Sequence, residues 1–303
     1  MKSLLPYILT LTCCTYASAD NHGSDAPSLT RSEDAATLMP LSAYQDVIDS
    51  PGFSFDVTPI GLTSKETKKE SIGASYLLQY TDKGLDMEDS FGEDTELSTY
   101  PKAVGYQVDA GVRGTLTESS TDNPLNFQEA HTSLEMQYLT REMYSAGGYI
   151  KYEADQGFDN RQVVFGGKVR FGRSENLPTL RDLLVVVLRY GRVNPEKDTE
   201  REAVLGAALD NYNRAELEAH WQINLSGAGP DGFQFSSFEA NYRYFQEINP
   251  DDRVKETGID DFRLLTFLLR LNKDWSIAYS SGEFPFNLRD DRIFQLGYTF
   301  EFK

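Results

Sequence analysis

Two groups of side chains in this sequence have the types and spacing to do chemistry: a pair of histidine clusters and a long series of charged residues two apart. His131 stands two residues from Ser133, and Glu218 stands two residues from His220. A serine–histidine hydrolase needs a nucleophile within reach of an imidazole that a third group orients. Same-face neighbours two apart arise by chance in strands of this composition, and the third histidine, His22, lies far upstream. No catalytic role is therefore expected. The larger group comprises nine acids, Asp56, Asp109, Glu135, Glu153, Asp155, Glu216, Glu218, Glu239 and Glu301. Against them stand eight bases, Arg113, Arg141, Lys151, Lys168, Arg170, Arg189, Arg243 and Arg270. Nine against eight nearly cancel, and charges removed from bulk water must be hydrated or paired. The expected chemistry is a network of ion pairs that either lines a solute pathway or fills an interior for stability.

Other chemistry finds less support. Asp251-Asp252, Asp260-Asp261 and Asp290-Asp291 are paired acids without the spaced ligands and central glycine of a calcium loop. They read as solvated charge, with loosely held divalent cations bridging to lipid phosphates as the sharper alternative. No glycine-rich, phosphate-cradling loop precedes a helix pattern, so no nucleotide or other cofactor is expected. A net charge of −18 argues against nucleic acid, which needs a basic surface.

The charged residues must be positioned by strands. From Phe53 onward, apolar and polar residues alternate, broken by turn residues and with no helical period between. Val104, Tyr106, Val108, Ala110 and Val112 oppose Gln107, Asp109, Arg113 and Thr115. Leu134, Met136 and Tyr138 oppose Ser133, Glu135, Gln137 and Arg141. Leu217, Ala219, Trp221, Ile223 and Leu225 oppose Glu216, Glu218, His220, Gln222 and Asn224. Similar runs begin near Phe53, Ser75, Ile150, Val163, Leu184, Ser237, Leu265, Trp275 and Ile293, about twelve in all. The last run places Phe294, Leu296, Tyr298, Phe300 and Phe302 on one face and Gln295, Gly297, Thr299 and Glu301 on the other.

An aromatic-rich terminal strand ending in Phe302, followed here by Lys303, resembles the closing strand of Gram-negative outer-membrane β-barrels. The resemblance implies an all-β fold, a transmembrane antiparallel up-and-down barrel with apolar faces toward lipid and polar faces toward the lumen. It also implies contact with outer-membrane lipids and lipopolysaccharide, and delivery by the outer-membrane assembly machinery through the C-terminal strand. The lumen would then be lined by Asp109, Arg113, Glu135, Arg141, Lys151, Glu153, Lys168, Arg170, Arg189, Glu216, Glu218, His220, Glu239, Arg243 and Arg270. The function expected is passive, porin-like passage of small solutes. The alternatives are an autotransporter-like or structural barrel without transport and, less favoured, a lipid-modifying enzyme.

The N-terminal residues read as a signal peptide over 1–19. Lys2 is the charged start, Leu4 to Cys14 is mostly apolar, and Ala17-Ser-Ala19 fits the small-x-small cleavage rule. A lipoprotein signal through Cys13 or Cys14 is the rival, weakened because Thr12 and Cys13 precede them where a small residue is wanted. Both cysteines fall in that segment, so no disulfide is expected. Residues 20–52 form a polar tail or a plug, and 53–303 the barrel. Counting back from the C-terminus, links should alternate long and short. The long links are expected at 282–290, 246–260, 194–213 and 119–130. The short ones are expected at 272–274, 227–232, 173–180 and Ser145-Ala-Gly-Gly148. The acidic stretch 84–102 breaks the rule by being long where a short link is due.

Overall fold

The structure, a computed structural model, describes residues 52–65, 68–87, 103–119, 123–139, 142–176, 181–206, 209–225, 235–271 and 275–298. The expected signal peptide over 1–19 and the tail expected over 20–52 lie outside the described residues, except that Gly52 begins β1; the final residues 299–303 also lie outside them. The strands are β1 (Gly52–Ser64), β2 (Glu70–Met87), β3 (Ala103–Thr117), β4 (Gln128–Leu139), β5 (Glu142–Ala154) and β6 (Arg161–Asn176). They continue with β7 (Arg181–Lys197), β8 (Tyr212–Asn224), β9 (Phe235–Ile248), β10 (Asp261–Leu271), β11 (Trp275–Phe284) and β12 (Asn287–Tyr298). Two short helices, α1 (Thr199–Leu205) and α2 (Asp252–Thr257), lie in the β7–β8 and β9–β10 links.

Each strand pairs antiparallel with its sequence neighbours, and β1 pairs with β12, which closes a barrel of twelve strands. Closure leaves no sheet edge, so backbone donors and acceptors are met between strands, as a wall in hydrocarbon requires. Strands of 10 to 18 residues exceed the ~9–11 needed to cross a bilayer when tilted, so several project beyond it. Facing follows the period of two. On β9, Ser237, Glu239, Asn241, Arg243, Phe245 and Glu247 are buried, while the residues between them are partly exposed.

The exterior is apolar, with Ile72, Met136, Phe294 and Leu296 half or more exposed. Toward the end where β12 finishes (the terminal end) rings pair across neighbouring strands. Trp275 meets Tyr298 at 4.9 Å, Phe53 meets Tyr80 at 4.8 Å, Tyr144 meets Phe171 at 5.5 Å and Trp221 meets Phe238 at 6.3 Å. Such a belt suits a membrane–water interface, where an amphipathic ring has one side apolar and the other wet.

Several expected links are corrected. Ser145-Ala-Gly-Gly148 is not a turn but the interior of β5, and the link to β4 is 140–141. A Cβ on Gly147 would lie 1.9 Å from the Leu134 carbonyl oxygen, so this glycine permits close strand approach rather than chain reversal. The expected link 282–290 is nearly all strand: β11 runs to Phe284 and β12 starts at Asn287, leaving Pro285-Phe286 as the turn. Gly282, at φ 127°, takes up a register shift in β11, which is why its glycine signal did not mark a loop. The link expected over 119–130 ends earlier, because β4 begins at Gln128. The link expected over 194–213 starts later, because β7 continues through Pro195 to Lys197 beside an irregularity in register. The stretch 84–102 yields its first residues to β2, which runs to Met87, and a fifteen-residue connection, 88–102, remains at the terminal end.

Candidate functional site

The inward positions of the twelve strands converge on the lumen, and it is filled. Toward the end opposite the termini (the loop end) its two halves are filled differently. The half bounded by β3 to β9 holds charge. Glu129 is the hub: Arg113 Nη2 approaches it at 3.0 Å, Arg243 Nη2 at 3.3 Å, His131 Nδ1 at 3.5 Å and Lys151 Nζ at 3.7 Å. Lys151 continues to Glu153 at 2.8 Å and Glu216 at 2.7 Å. Arg214 joins Glu153 at 2.6 Å to Glu216 at 2.5 Å, and Arg189 donates to Glu218 at 2.7 Å. Among the described residues this network sets five cations (Arg113, Lys151, Arg189, Arg214, Arg243) against four carboxylates (Glu129, Glu153, Glu216, Glu218). Apart from half-buried Arg189, these residues are at most 4 % exposed, so the pairs hold each other in place of water.

The other half, bounded by β9 to β12 and β1, holds an apolar cluster of Ile60, Leu62, Phe245, Leu264, Phe284 and Ile293. Leu125 and Phe127 of the β3–β4 link fold inward to complete it, and Phe127 is 0 % exposed. Its ring stacks on Phe284 at 5.2 Å with an interplanar angle of 7°. Arg243 stands at the boundary, its guanidinium 5.1 to 5.7 Å from the rings of Phe245, Phe284 and Phe127. An arginine can serve both halves because its planar cation stacks on aromatic faces while its N–H groups donate to carboxylates. A cavity of about 10 Å³ among Thr115, Leu125, Asn241, Arg243, Leu264, Thr266 and Phe284 lies between the halves. That is at the lower limit of what one water needs.

Nearer the terminal end a second charged group joins Glu135 to Lys168 and to Arg170, the latter at 2.7 Å, with Arg170 3.8 Å from Asp109. Ser145 Oγ donates to Glu135 at 2.5 Å, and Gln107 Nε2 donates to Asp109 at 2.8 Å. Arg270 donates to Glu239 at 2.7 Å, and His220 Nδ1 lies 2.6 Å from Asn241 Oδ1. Of the fifteen residues expected to line the lumen, fourteen are found on inward positions and join these groups. Arg141 falls in the β4–β5 link, outside the described residues. Asp155, expected on a strand, instead follows β5 and accepts the backbone N–H groups of Asp159 at 2.8 Å and Asn160 at 3.1 Å.

Sequence reasoning missed Glu129 and Arg214, which the network depends on. Both extend a period-two series by a single step, Glu129 before His131 and Arg214 before Glu216, but Glu129 fell in the stretch assigned to a link and Arg214 immediately after one. It also missed the apolar inward positions, since Ile60, Leu62, Phe245 and Phe284 sit where a polar residue is expected.

At the loop end the links are structured. Asp198 caps α1 by accepting the Arg201 N–H at 3.0 Å, and burial pushes its carboxyl above the ordinary range. Arg201 pairs with Glu247 and lies 4.1 Å from the Tyr212 ring centroid. Arg253 of α2 donates to the Leu205 carbonyl of α1 at 2.8 Å.

With a closed twelve-strand wall, an apolar exterior and an aromatic belt, the fold class is decided. The chain is a β-barrel of the outer-membrane type. No family model matches it, and no curated protein does. Among solved structures it is similar to the NanC porin, at 8 % identity over 81 % of this chain and all of that one, with a TM-score of 0.41. It is similar also to the β domain of the Bordetella autotransporter BrkA, at 10 % identity over 84 % of this chain and 100 % of that one, TM-score 0.37. LpxR from Salmonella typhimurium matches at 10 % identity over 81 % of this chain and 100 % of that one, TM-score 0.32. Likeness at this level concerns barrel architecture and carries nothing about activity.

Proposed function

We propose that this barrel provides a route for small solutes across the outer membrane and that the route is shut in the conformation described. The observation that carries the proposal is the composition of the lumen. Its inward faces are mainly charged and polar, as a solute pathway requires, yet among the described residues the side chains at the loop end are packed to near-complete burial. Charged and polar inward groups can be solvated along an open route, which a wholly apolar lining could not offer. The loop end then faces outward, a direction that the long β7–β8 and β9–β10 links carrying α1 and α2 support. The wall would be solvated by outer-membrane lipids and lipopolysaccharide, with assembly through the C-terminal strand. The reading includes no catalytic step: His131 and His220 stand on inward positions, separated by the wall from lipid substrates. Export would proceed by cleavage after Ala19, making Asp20 the first residue found by N-terminal sequencing; a lipid-modified cysteine would exclude this.

A second reading, a structural barrel without transport, is favoured by the same close packing if closure is permanent. Recording from the purified protein in a planar bilayer separates the two. Long silences broken by discrete openings support a closed route. Uninterrupted ohmic conductance from the moment of insertion is incompatible with closure, and lasting silence under all voltages selects the structural barrel.

A further inference from the structure

We infer that the segment Asn123–Phe127 is the gate of this barrel and that Gln156 is its latch; this rests on the reading of the lumen as a solute route. The two halves of the lumen differ in what it would take to open them. The charged half is built from strand positions of the wall, and clearing it means separating several buried ion pairs at once. The apolar half is completed by a link. Among the described residues, Leu125 and Phe127 are the only buried members of that cluster that do not come from a strand; Phe286 of the β11–β12 turn packs against it, 6.3 Å from the Phe127 ring. They could leave without disturbing a single interstrand hydrogen bond. Farther along the strands on the same side, the inward positions Ser75, Thr266, Ser276, Ala278 and Ser280 are small or polar and are interspersed with Leu77 and Leu268. Withdrawal of the link would therefore remove the two large side chains that complete the seal on this side of the loop end, above a stretch of wall whose inward groups are small, polar and aliphatic in mixture.

What retains the segment is local. Its own backbone supplies one internal bond, from Phe127 N–H to the Leu125 carbonyl at 2.7 Å; the Asn123 side chain accepts the Leu125 N–H at 3.0 Å and donates through Nδ2 to the Thr115 carbonyl of β3 at 2.9 Å. The tie to the neighbouring β5–β6 link runs through one residue. Gln156 Oε1 accepts from Asn123 Nδ2 at 2.9 Å and from the Thr117 N–H at 3.0 Å. Its Nε2 donates to the Thr117 carbonyl at 2.7 Å, and its backbone N–H donates to Asn126 Oδ1 at 2.6 Å. One side-chain amide thus satisfies both backbone groups of Thr117, the residue that ends β3, and the first residue of the segment itself. Gln156 is half-buried, so water can take over these bonds when the latch lets go. Phe127 provides the opposing grip through its stack on Phe284 and the Arg243 guanidinium.

The test uses the full chain with Cys13 and Cys14 replaced by serine, so that Phe127→Cys supplies the only thiol. A charged, water-soluble thiol reagent then reports exposure of position 127, and bilayer recording reports open probability. Adding Gln156→Ala, which removes four side-chain hydrogen bonds, should speed labelling by about tenfold or more. In the otherwise unaltered chain Gln156→Ala should raise open probability by a similar factor, and Phe127→Ala should raise it further. Heat-modifiable migration of each variant checks that the barrel has folded. Two results overturn the inference. Discrete openings whose probability none of these substitutions alters would remove the gate while leaving the solute route standing. Faster labelling in a barrel that never conducts would remove the gate and the route together.

Discussion

Placing one arginine on either face of β8 tests the register on which every lumen residue depends. Ala219 lies near the middle of this thirteen-residue strand, faces outward, and is flanked across the sheet by Val186 and Tyr242. In Ala219→Arg the guanidinium meets hydrocarbon two residues in from the Trp221 belt position, where the cost is about 2 kcal/mol, between the values for mid-depth and interface. The alanine contributes little packing of its own, so that cost is nearly the whole effect. Gln222, three residues on, faces inward opposite Leu183 and Glu239, and the Glu239 carboxylate already accepts from Arg270 at 2.7 Å. A second cation there finds a carboxylate and a half-buried position toward the terminal end, and Gln222→Arg should cost below about 1 kcal/mol. The two sites share one strand, so differences in strand propensity largely cancel and facing decides the outcome. With a urea dependence of ~1–3 kcal/mol per molar, the unfolding midpoints in lipid vesicles should differ by roughly 1 M. Equal losses, or a larger loss at Gln222, would refute the register and with it each assignment to the lumen.

Two further substitutions probe the interior. Glu216→Gln removes a carboxylate that accepts from Lys151 at 2.7 Å and Arg214 at 2.5 Å, leaving buried cations in greater excess. A loss of ~3–5 kcal/mol is expected in the same urea assay, and a loss under about 1 kcal/mol would mean that water already screens the network. Gly147→Val should abolish folded, heat-modifiable barrel, because its Cβ would stand 1.9 Å from the Leu134 carbonyl oxygen. Gly148→Val, with nothing nearer than 3.7 Å, should fold normally. Similar yields from the two would show that β4 and β5 can separate at no cost.

The strands were legible in the sequence because a wall between lipid and water imposes a period of two along every one of them, and no other arrangement of these residues meets both solvents. That is why the facing of Glu216, Glu218 and His220 against Leu217, Ala219 and Trp221 reads directly from their order. Strand ends were less legible. Beyond the hydrocarbon the constraint on the outer face disappears, so Pro195, Gly282 and Pro285 looked like loop residues although the chain stays paired through or up to them. Gly147 and Gly148 misled in the opposite direction, since glycine serves close strand approach as well as reversal.

The sequence by itself determined that charges of both signs would share the interior in near balance, since buried charge of one sign cannot be sustained without a partner. Which charges meet was decided by tertiary structure alone. Arg113 and Glu129 are neighbours on adjacent strands, but Arg243 reaches Glu129 from a strand 114 residues along the chain, across the lumen. Only barrel closure sets that distance. The apolar half of the lumen was hidden for the same reason. Phe127, in a link, and Phe245 and Phe284, on positions expected to be polar, carry no mark in the sequence that they stack on one another or around Arg243. Alternation says which way a side chain points, while the curvature of the wall decides what it meets there.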